Sequence, residues 1–209
     1  MYSMYSNEFS KYIGSLIINE FDETLGVLVG YTTDGIGEVK TVLIRSAIDI
    51  HEVSIDRIEK VSEDTFKLFG NIYYKYRNIE KKIKYVHTRI ESINKFYDDN
   101  VNKEVFAQIK SKTEQSLKEL LNELEILKNE ILSRFEYLNN LQTKVDESII
   151  ELKLSYIENN IDKSNYESKL EHLLSTKNRI SKEINYLNDI LNQINNIDKS
   201  SIIEVKIVS

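Results

Sequence analysis

The segment from residue 117 to residue 131 reads LKELLNELEILKNEI. Its apolar residues recur at alternating steps of three and four, which places them along one stripe of a helix and predicts a coiled coil. The stripe continues downstream through Phe135, Leu138, Val145, Ile149, Leu152 and Tyr156. A helix over residues 103–158 would be ~80 Å long. Such a helix has to pair with another one to cover its stripe.

The same spacing recurs on both sides of this segment and predicts helices over 71–97, 103–158 and 164–197. Asn102 is predicted to cap the second helix, and Ser164 with Glu167 to form a capping box for the third. A further break is predicted at 195–199. The predicted coiled-coil assembly positions are Ile79, Ile83, Val86, Ile90, Leu117, Leu120, Leu124, Leu127, Ile131, Ile180, Ile184, Leu187 and Leu191.

The short break at 159–164 favours an antiparallel hairpin in which residues 117–158 fold back on 165–196. Lys177 is the one polar member of the last stripe, which runs from Tyr166 to Ile194. The spacing leaves open whether the helices pair within one chain or between copies.

Residues 1–70 have a different character, because all six glycines lie there and the chain has no proline. Apolar and β-branched runs predict strands at 12–18, 25–31, 39–44, 48–55 and 65–69, with a hairpin turn at 34–37. Strands of this length and spacing predict a small closed or half-closed barrel. The fold class is therefore α+β, a barrel over 1–70 followed by coiled-coil helices over 71–197.

Residues 198–209 form a tail in which apolar and charged residues alternate, a pattern typical of a strand. The apolar tail positions of greatest interest are Ile202, Ile203, Val205 and Ile207. An uncovered apolar strand needs a partner. Two hypotheses follow: the tail adds a strand to another protein, or it pairs with the barrel or with a second copy.

Charge is distributed unevenly along the chain. Residues 1–70 carry six Lys and Arg against twelve Asp and Glu, whereas residues 71–97 carry seven against two. The basic positions of greatest interest are Lys75, Arg77, Lys81, Lys82 and Lys84, which alternate with tyrosines. Such a face can bind DNA or anionic lipid. The alternative is an ordinary solvated helix face.

Catalytic chemistry finds no support in the sequence. The chain has no cysteine, and His51, His87 and His172 are far apart and form no metal-binding motif. We therefore predict no catalytic, cofactor or metal site. The chain also lacks the ~20-residue apolar run of a transmembrane helix and the features of a signal peptide, so a cytoplasmic location is expected.

Specific motifs in the first 70 residues resemble the PRC-barrel family. They are Gly14 before an apolar strand, the segment Thr24–Gly30, the strand 39–44, the segment 53–58 and the run 66–69. With the long helices and apolar tail that follow, and with the start at Lys11–Gly14, the order of parts resembles the CdvA family of archaeal cell-division scaffolds.

That resemblance implies a non-enzymatic protein that forms dimers and filaments at the inner face of the membrane at the division site. It also implies association with membrane or DNA, and recruitment of an ESCRT-III-like partner whose winged-helix domain binds the tail. Ile202, Ile203, Val205 and Ile207 are the positions here that match such a tail. The alternative function is a DNA-associated, chromosome-organising coiled-coil protein that uses the basic first helix.

Overall fold

A computed structural model of the chain describes residues 5–95 and 102–207, with side chains described as far as residue 197. The chain divides into two compact units, Met1–Lys75 and Tyr76–Ser209. Its elements are α1 (Ser6–Phe9), a 3-10 turn (Ser10–Tyr12), β1 (Leu16–Ile18), β2 (Thr24–Thr33), β3 (Val39–Arg45), β4 (Ile50–Ser54), a second 3-10 turn (Ile55–Arg57), β5 (Ile58–Lys60), β6 (Thr65–Leu68), α2 (Asn71–Lys95), α3 (Lys103–Ile157) and α4 (Lys163–Ile207). The predicted class, a small barrel-like β unit followed by coiled-coil helices, is confirmed.

The first unit is a six-stranded half-barrel sheet in the order β4-β3-β2-β1-β6-β5. β1 and β6 are parallel, and every other neighbouring pair is antiparallel. Register shifts interrupt β1 between Ile17 and Ile18, and β2 between Leu28 and Gly30. A Cβ atom on Gly26 would lie 2.2 Å from the Arg45 carbonyl oxygen, so the close approach of β2 and β3 requires glycine there.

The core of this unit is closed by the short helix at its start. Phe9 is buried among strand residues, and its ring meets the ring of Tyr31 edge to face with centroids 5.4 Å apart. The Phe66 ring is tilted against the Phe9 ring, with centroids 6.1 Å apart. The buried set is Phe9, Ile17, Leu28, Val39, Val42, Ile44 and Phe66. The ring of Phe9 thus fills the interior of a half-barrel whose strands are short.

Two details of the predicted strands were wrong. The first strand begins at Leu16 and not at residue 12, because Ser10–Tyr12 forms a 3-10 turn and Gly14 has a φ of +98°. The segment 55–60, which was assigned only the end of a strand, contains a 3-10 turn and then β5. β5 is three residues long, too short for alternation to reveal.

The second unit is built on an antiparallel hairpin of α3 and α4, as the short turn predicted. Arg134 contacts Glu183 and Asp146 contacts Lys177, so the paired residue numbers rise on one helix as they fall on the other. Asn102 caps α3, with its Oδ1 accepting bonds from the backbone N–H groups of Glu104 and Val105. The predicted role of Asn102 is thus confirmed.

The predicted cap of α4 was wrong. The helix begins at Lys163, and Asp162, not Ser164, caps it: Asp162 Oδ1 accepts the Asn165 backbone N–H at 2.9 Å. Aspartate is as good a helix cap as serine. The pattern from Ser164 to Glu167 therefore lies next to an equally good cap, Asp162, two residues upstream.

The strand predicted for the tail was also wrong, as was the break predicted at 195–199. α4 runs without interruption to Ile207, so the backbone from residue 198 to residue 207 is helical. The physical reason is that a helix satisfies its backbone groups locally, whereas a strand needs a neighbour. No glycine or proline after Gly70 forces the helix to end.

Candidate assembly surfaces

The central part of the hairpin seam is buried within the chain. Leu124 and Ile131 are 0% exposed, and the other buried predicted positions are Ile79, Ile83, Val86, Leu117, Leu120, Leu127, Ile180 and Leu187. The remaining predicted positions, Ile90, Ile184 and Leu191, are half-buried. These side chains therefore form the interior of the second unit. Their predicted role in joining copies of the chain stays a prediction.

Two ion pairs cross the hairpin and fix its register. Lys177 Nζ lies 2.6 Å from Asp146 Oδ1, which explains a lysine in an otherwise apolar stripe. Arg134 donates to Glu183 Oε1 through Nε and Nη2, both at 2.7 Å. Glu183 is the main cause that raises the pKa of the Arg134 guanidinium. Pairs of this kind specify which residues face each other more than they add stability.

The end of the hairpin, residues 150–179, differs from its centre. Every residue in this range is described, and none of them is buried. The Tyr156 and Tyr166 rings stack across the two helices with centroids 4.4 Å apart. An open groove lined by Leu152, Leu173 and the polar side chains around them separates the helices here. We call residues 150–179 the hairpin tip.

The tip carries a second apolar stripe on the side of α3 away from the seam. Ile150, Leu154 and Ile157 are 57%, 45% and 73% exposed. Their spacing of four and three places them on one face of the helix. This outer stripe was not predicted, although its spacing is visible in the sequence, because the Ile149–Tyr156 series has the stronger seam pattern.

The basic positions of α2 are spread over different environments. Lys84 Nζ lies 2.8 Å from Glu80 Oε1 on the same helix. Lys81 and Lys82 are exposed, and they line a groove between α2 and α3 together with Glu119 and Glu123. Carboxylates beside these two lysines reduce the positive potential that a phosphate would meet.

The tyrosines near these lysines are only partly available for stacking on a ligand. Tyr76 is buried, and the Tyr73 ring packs on Phe69 with centroids 4.6 Å apart. Tyr85 is exposed and lines the same groove as Lys81 and Lys82. Lys75 and Arg77 are exposed on the first turns of the helix. The structure thus brings together Lys81, Lys82 and Tyr85 but not the whole predicted set.

The tail positions Ile202, Ile203, Val205 and Ile207 lie on the last turns of α4, beyond the side chains that the structure describes. Among the described residues, no group of three or more His, Cys, Asp and Glu side chains could hold a metal ion. In the same part of the chain, no helix has the length and apolar character to cross a membrane.

The fold defines a class of protein: a small β unit followed by long paired helices. The sequence profile of the CdvA-like coiled-coil domain matches residues 73–208. Cell division protein A of Sulfolobus acidocaldarius is 20% identical over 198 residues, which cover 94% of this chain and 82% of that protein. The chain belongs to the CdvA-like coiled-coil family and is a cell-division protein.

Proposed function

We propose that this protein is a non-enzymatic scaffold of cell division, which polymerises into filaments at the inner face of the membrane and recruits an ESCRT-III-like partner. The observation that carries the proposal is the match to the CdvA-like domain over 73–208, the region of the three long helices. A hairpin made of a 55-residue helix and a 45-residue helix can span a long distance and offer contacts along its length, but it is poorly suited to enclosing a substrate.

Two features of the described residues support assembly. The β unit ends in two edge strands, β4 and β5, whose outer backbone groups can pair with other strands. The hairpin tip exposes apolar side chains on a surface of its own, apart from the seam that the chain buries. Two isologous contacts at different places on one chain can build a filament, whereas one isologous contact alone closes into a dimer.

Recruitment is assigned to the tail, residues 198–209. Docking by strand addition, which the resemblance implies, requires the last turns of α4 to leave the helical form on binding. The ends of helices are the parts most easily opened. The proposal therefore couples partner binding to local unwinding of the segment that holds Ile202, Ile203, Val205 and Ile207.

The test of the scaffold function is negative-stain electron microscopy of the full chain over a series of concentrations. Samples contain protein alone, protein with anionic vesicles, and protein with DNA. We expect filaments from protein alone, and alignment of filaments on the vesicles. Compact particles that never elongate in any sample would contradict the proposal.

Coating of DNA in the absence of filaments would instead favour the chromosome-organising alternative. In that case DNA binding should weaken steeply with salt. It should also be lost on changing Lys81, Lys82 and Lys84 to Glu. Lys112→Glu with Lys118→Glu is the matched control, because these lysines are exposed on α3. The carboxylates of Glu119 and Glu123 beside Lys81 and Lys82 make this alternative the weaker one.

A further inference from the structure

The outer stripe of the hairpin tip begins abruptly. On the same face of α3, one to two heptads upstream, lie the exposed polar residues Glu136, Asn140, Thr143 and Glu147. The face becomes apolar at Ile150 and stays so through Leu154 and Ile157, where the helix ends. Exposed apolar side chains scattered singly need no explanation, but three on consecutive turns of one face indicate a contact.

The stripe cannot serve the hairpin itself. The side of α3 that faces α4 carries Val145, Ile149, Leu152 and Tyr156, and Tyr156 stacks on Tyr166 of α4. Ile150, Leu154 and Ile157 occupy the positions next to these on the outside of the helix. α3 therefore has two apolar faces at the tip, and among the described residues only one of them is covered.

We propose that the outer stripe is a self-association site, at which the α3 tips of two copies pack antiparallel about a two-fold axis close to Leu154. The three residues of the stripe are separated by steps of four and three residues in one direction along the helix, and of three and four in the other. The stripe is therefore nearly the same in both directions. An antiparallel pair therefore places Ile150 against Ile157 of the second copy and Leu154 beside its own counterpart. Self-complementarity of this kind is the signature of an isologous contact.

The charges around the stripe favour a protein occupant over an anionic surface. Glu151 and Glu158 directly follow Ile150 and Ile157, Glu147 lies one turn before the stripe, and Lys153 directly precedes Leu154, so carboxylates outnumber lysines by three to one around the stripe. Carboxylates repel phosphate groups of lipid or nucleic acid. In the antiparallel pair, Glu151 approaches Glu158 of the second copy, so salt should strengthen the contact by screening this repulsion. Binding to phosphate responds to salt in the opposite direction.

The size of the stripe predicts a weak contact. Three half-exposed aliphatic side chains from each of two copies hide roughly 400 Å² of apolar surface. A stable, isolated dimer buries about 1,200–2,000 Å² in total. The tip contact is therefore transient between free chains and gains strength when many copies are held in one polymer. The inference rests on the proposed scaffold function in this respect.

The absence of cysteine allows a direct test by cross-linking. Leu154→Cys is introduced into the full chain, and a short bifunctional thiol reagent is added over a series of protein and salt concentrations. Ile126→Cys is the matched control, because Ile126 lies on the same helix and is 60% exposed but outside the tip. We expect at least tenfold faster dimer cross-linking at residue 154 than at residue 126, and faster cross-linking as salt rises.

A second variant separates the stripe from the cysteine itself. Ile150→Glu with Ile157→Glu, added to Leu154→Cys, should reduce cross-linking to the level of the control while the helical circular dichroism signal is unchanged. Equal rates at residues 154 and 126 would overturn the inference. The inference would also be overturned if Ile150→Glu with Ile157→Glu lost vesicle binding but kept its cross-linking rate, because the stripe would then bind lipid.

Failure of the inference and failure of the scaffold function give different results. Filaments from the wild-type chain and from Ile150→Glu with Ile157→Glu in equal amounts would leave the scaffold function intact and remove the tip contact. A wild-type chain that forms no filaments, together with a Leu154→Cys chain that cross-links no faster than the Ile126→Cys chain, would overturn both.

Discussion

Asp162 is the residue at which the chain turns from α3 into α4. Its carboxylate accepts the backbone N–H of Asn165 at 2.9 Å and the Asn165 side-chain amide at 2.6 Å. The bond from the Asn165 backbone is the largest of the causes that lower the pKa of Asp162. Since the folded-state pKa is depressed, the stabilisation is present above the unfolded-state pKa and is lost as pH falls through the folded-state pKa.

We predict that Asp162→Ala frays the first turn of α4 at neutral pH, because an unsatisfied amide at the helix start returns to water. Hydrogen exchange at the Asn165 amide should become faster by about tenfold, which corresponds to roughly one lost hydrogen bond. Ser164→Ala is the control and should leave this exchange unchanged. The wild-type protein and Asp162→Ala should show the same exchange rate in strong acid, where the wild-type Asp162 carboxylate is protonated. If only Ser164→Ala frayed the first turn of α4, Ser164 would be the cap, as the sequence predicted.

At the scale of the element, α3 carries inner and outer positions that differ sharply although the residues are alike. Leu124 is fully buried in the seam, whereas Ile126, two residues later, is 60% exposed. The rotation of about 100° per residue along a helix separates them. Stability should therefore depend on the seam and not on the total apolar content of the helix.

We predict that Leu124→Ala lowers the free energy of unfolding by about 2–5 kcal/mol, because it removes methyl groups and leaves a cavity. Ile126→Ala, the matched control, should change that free energy by less than about 0.5 kcal/mol. Urea unfolding followed by circular dichroism at 222 nm measures both. Similar losses in the two variants would mean that Ile126 is covered in solution.

At the scale of the whole molecule, the parts follow one another in the order β unit, hairpin and tail. The hairpin and β unit hold the proposed assembly surfaces, and the proposed recruitment segment comes last. The two activities should therefore be separable by changing one end of the chain.

We predict that deletion of residues 198–209 abolishes capture of an ESCRT-III-like protein with a winged-helix domain and leaves filaments intact. A chain with the same twelve residues in scrambled order is the control for length and composition, and it should also fail to capture the partner. Pull-down and electron microscopy on the same preparations measure the two effects. Capture by the deleted chain at the wild-type level would assign recruitment to another surface.

The broad architecture could be predicted from the sequence, because it depends on local physical properties of the chain. Leu117 to Ile131 repeats at the helical period, and the glycines that permit sharp turns are confined to the first 70 residues, so helices and strands separate cleanly. Asn102 was identifiable as a helix cap because capping depends on a few neighbouring residues. The antiparallel hairpin followed from the short turn between two apolar stripes.

Which apolar residues are covered within the chain depends on how α3 packs against α4, and this could not be read from the sequence. Periodicity assigned Ile149 to the inner stripe, but the packing of α3 on α4 is what buries Ile149 and leaves its neighbour Ile150 57% exposed. Burial depends on the packing of distant segments, as does the choice between helix and strand for residues 198–207, where α4 continues to Ile207. Alternation measures only which residues share a face, not whether another element lies against that face.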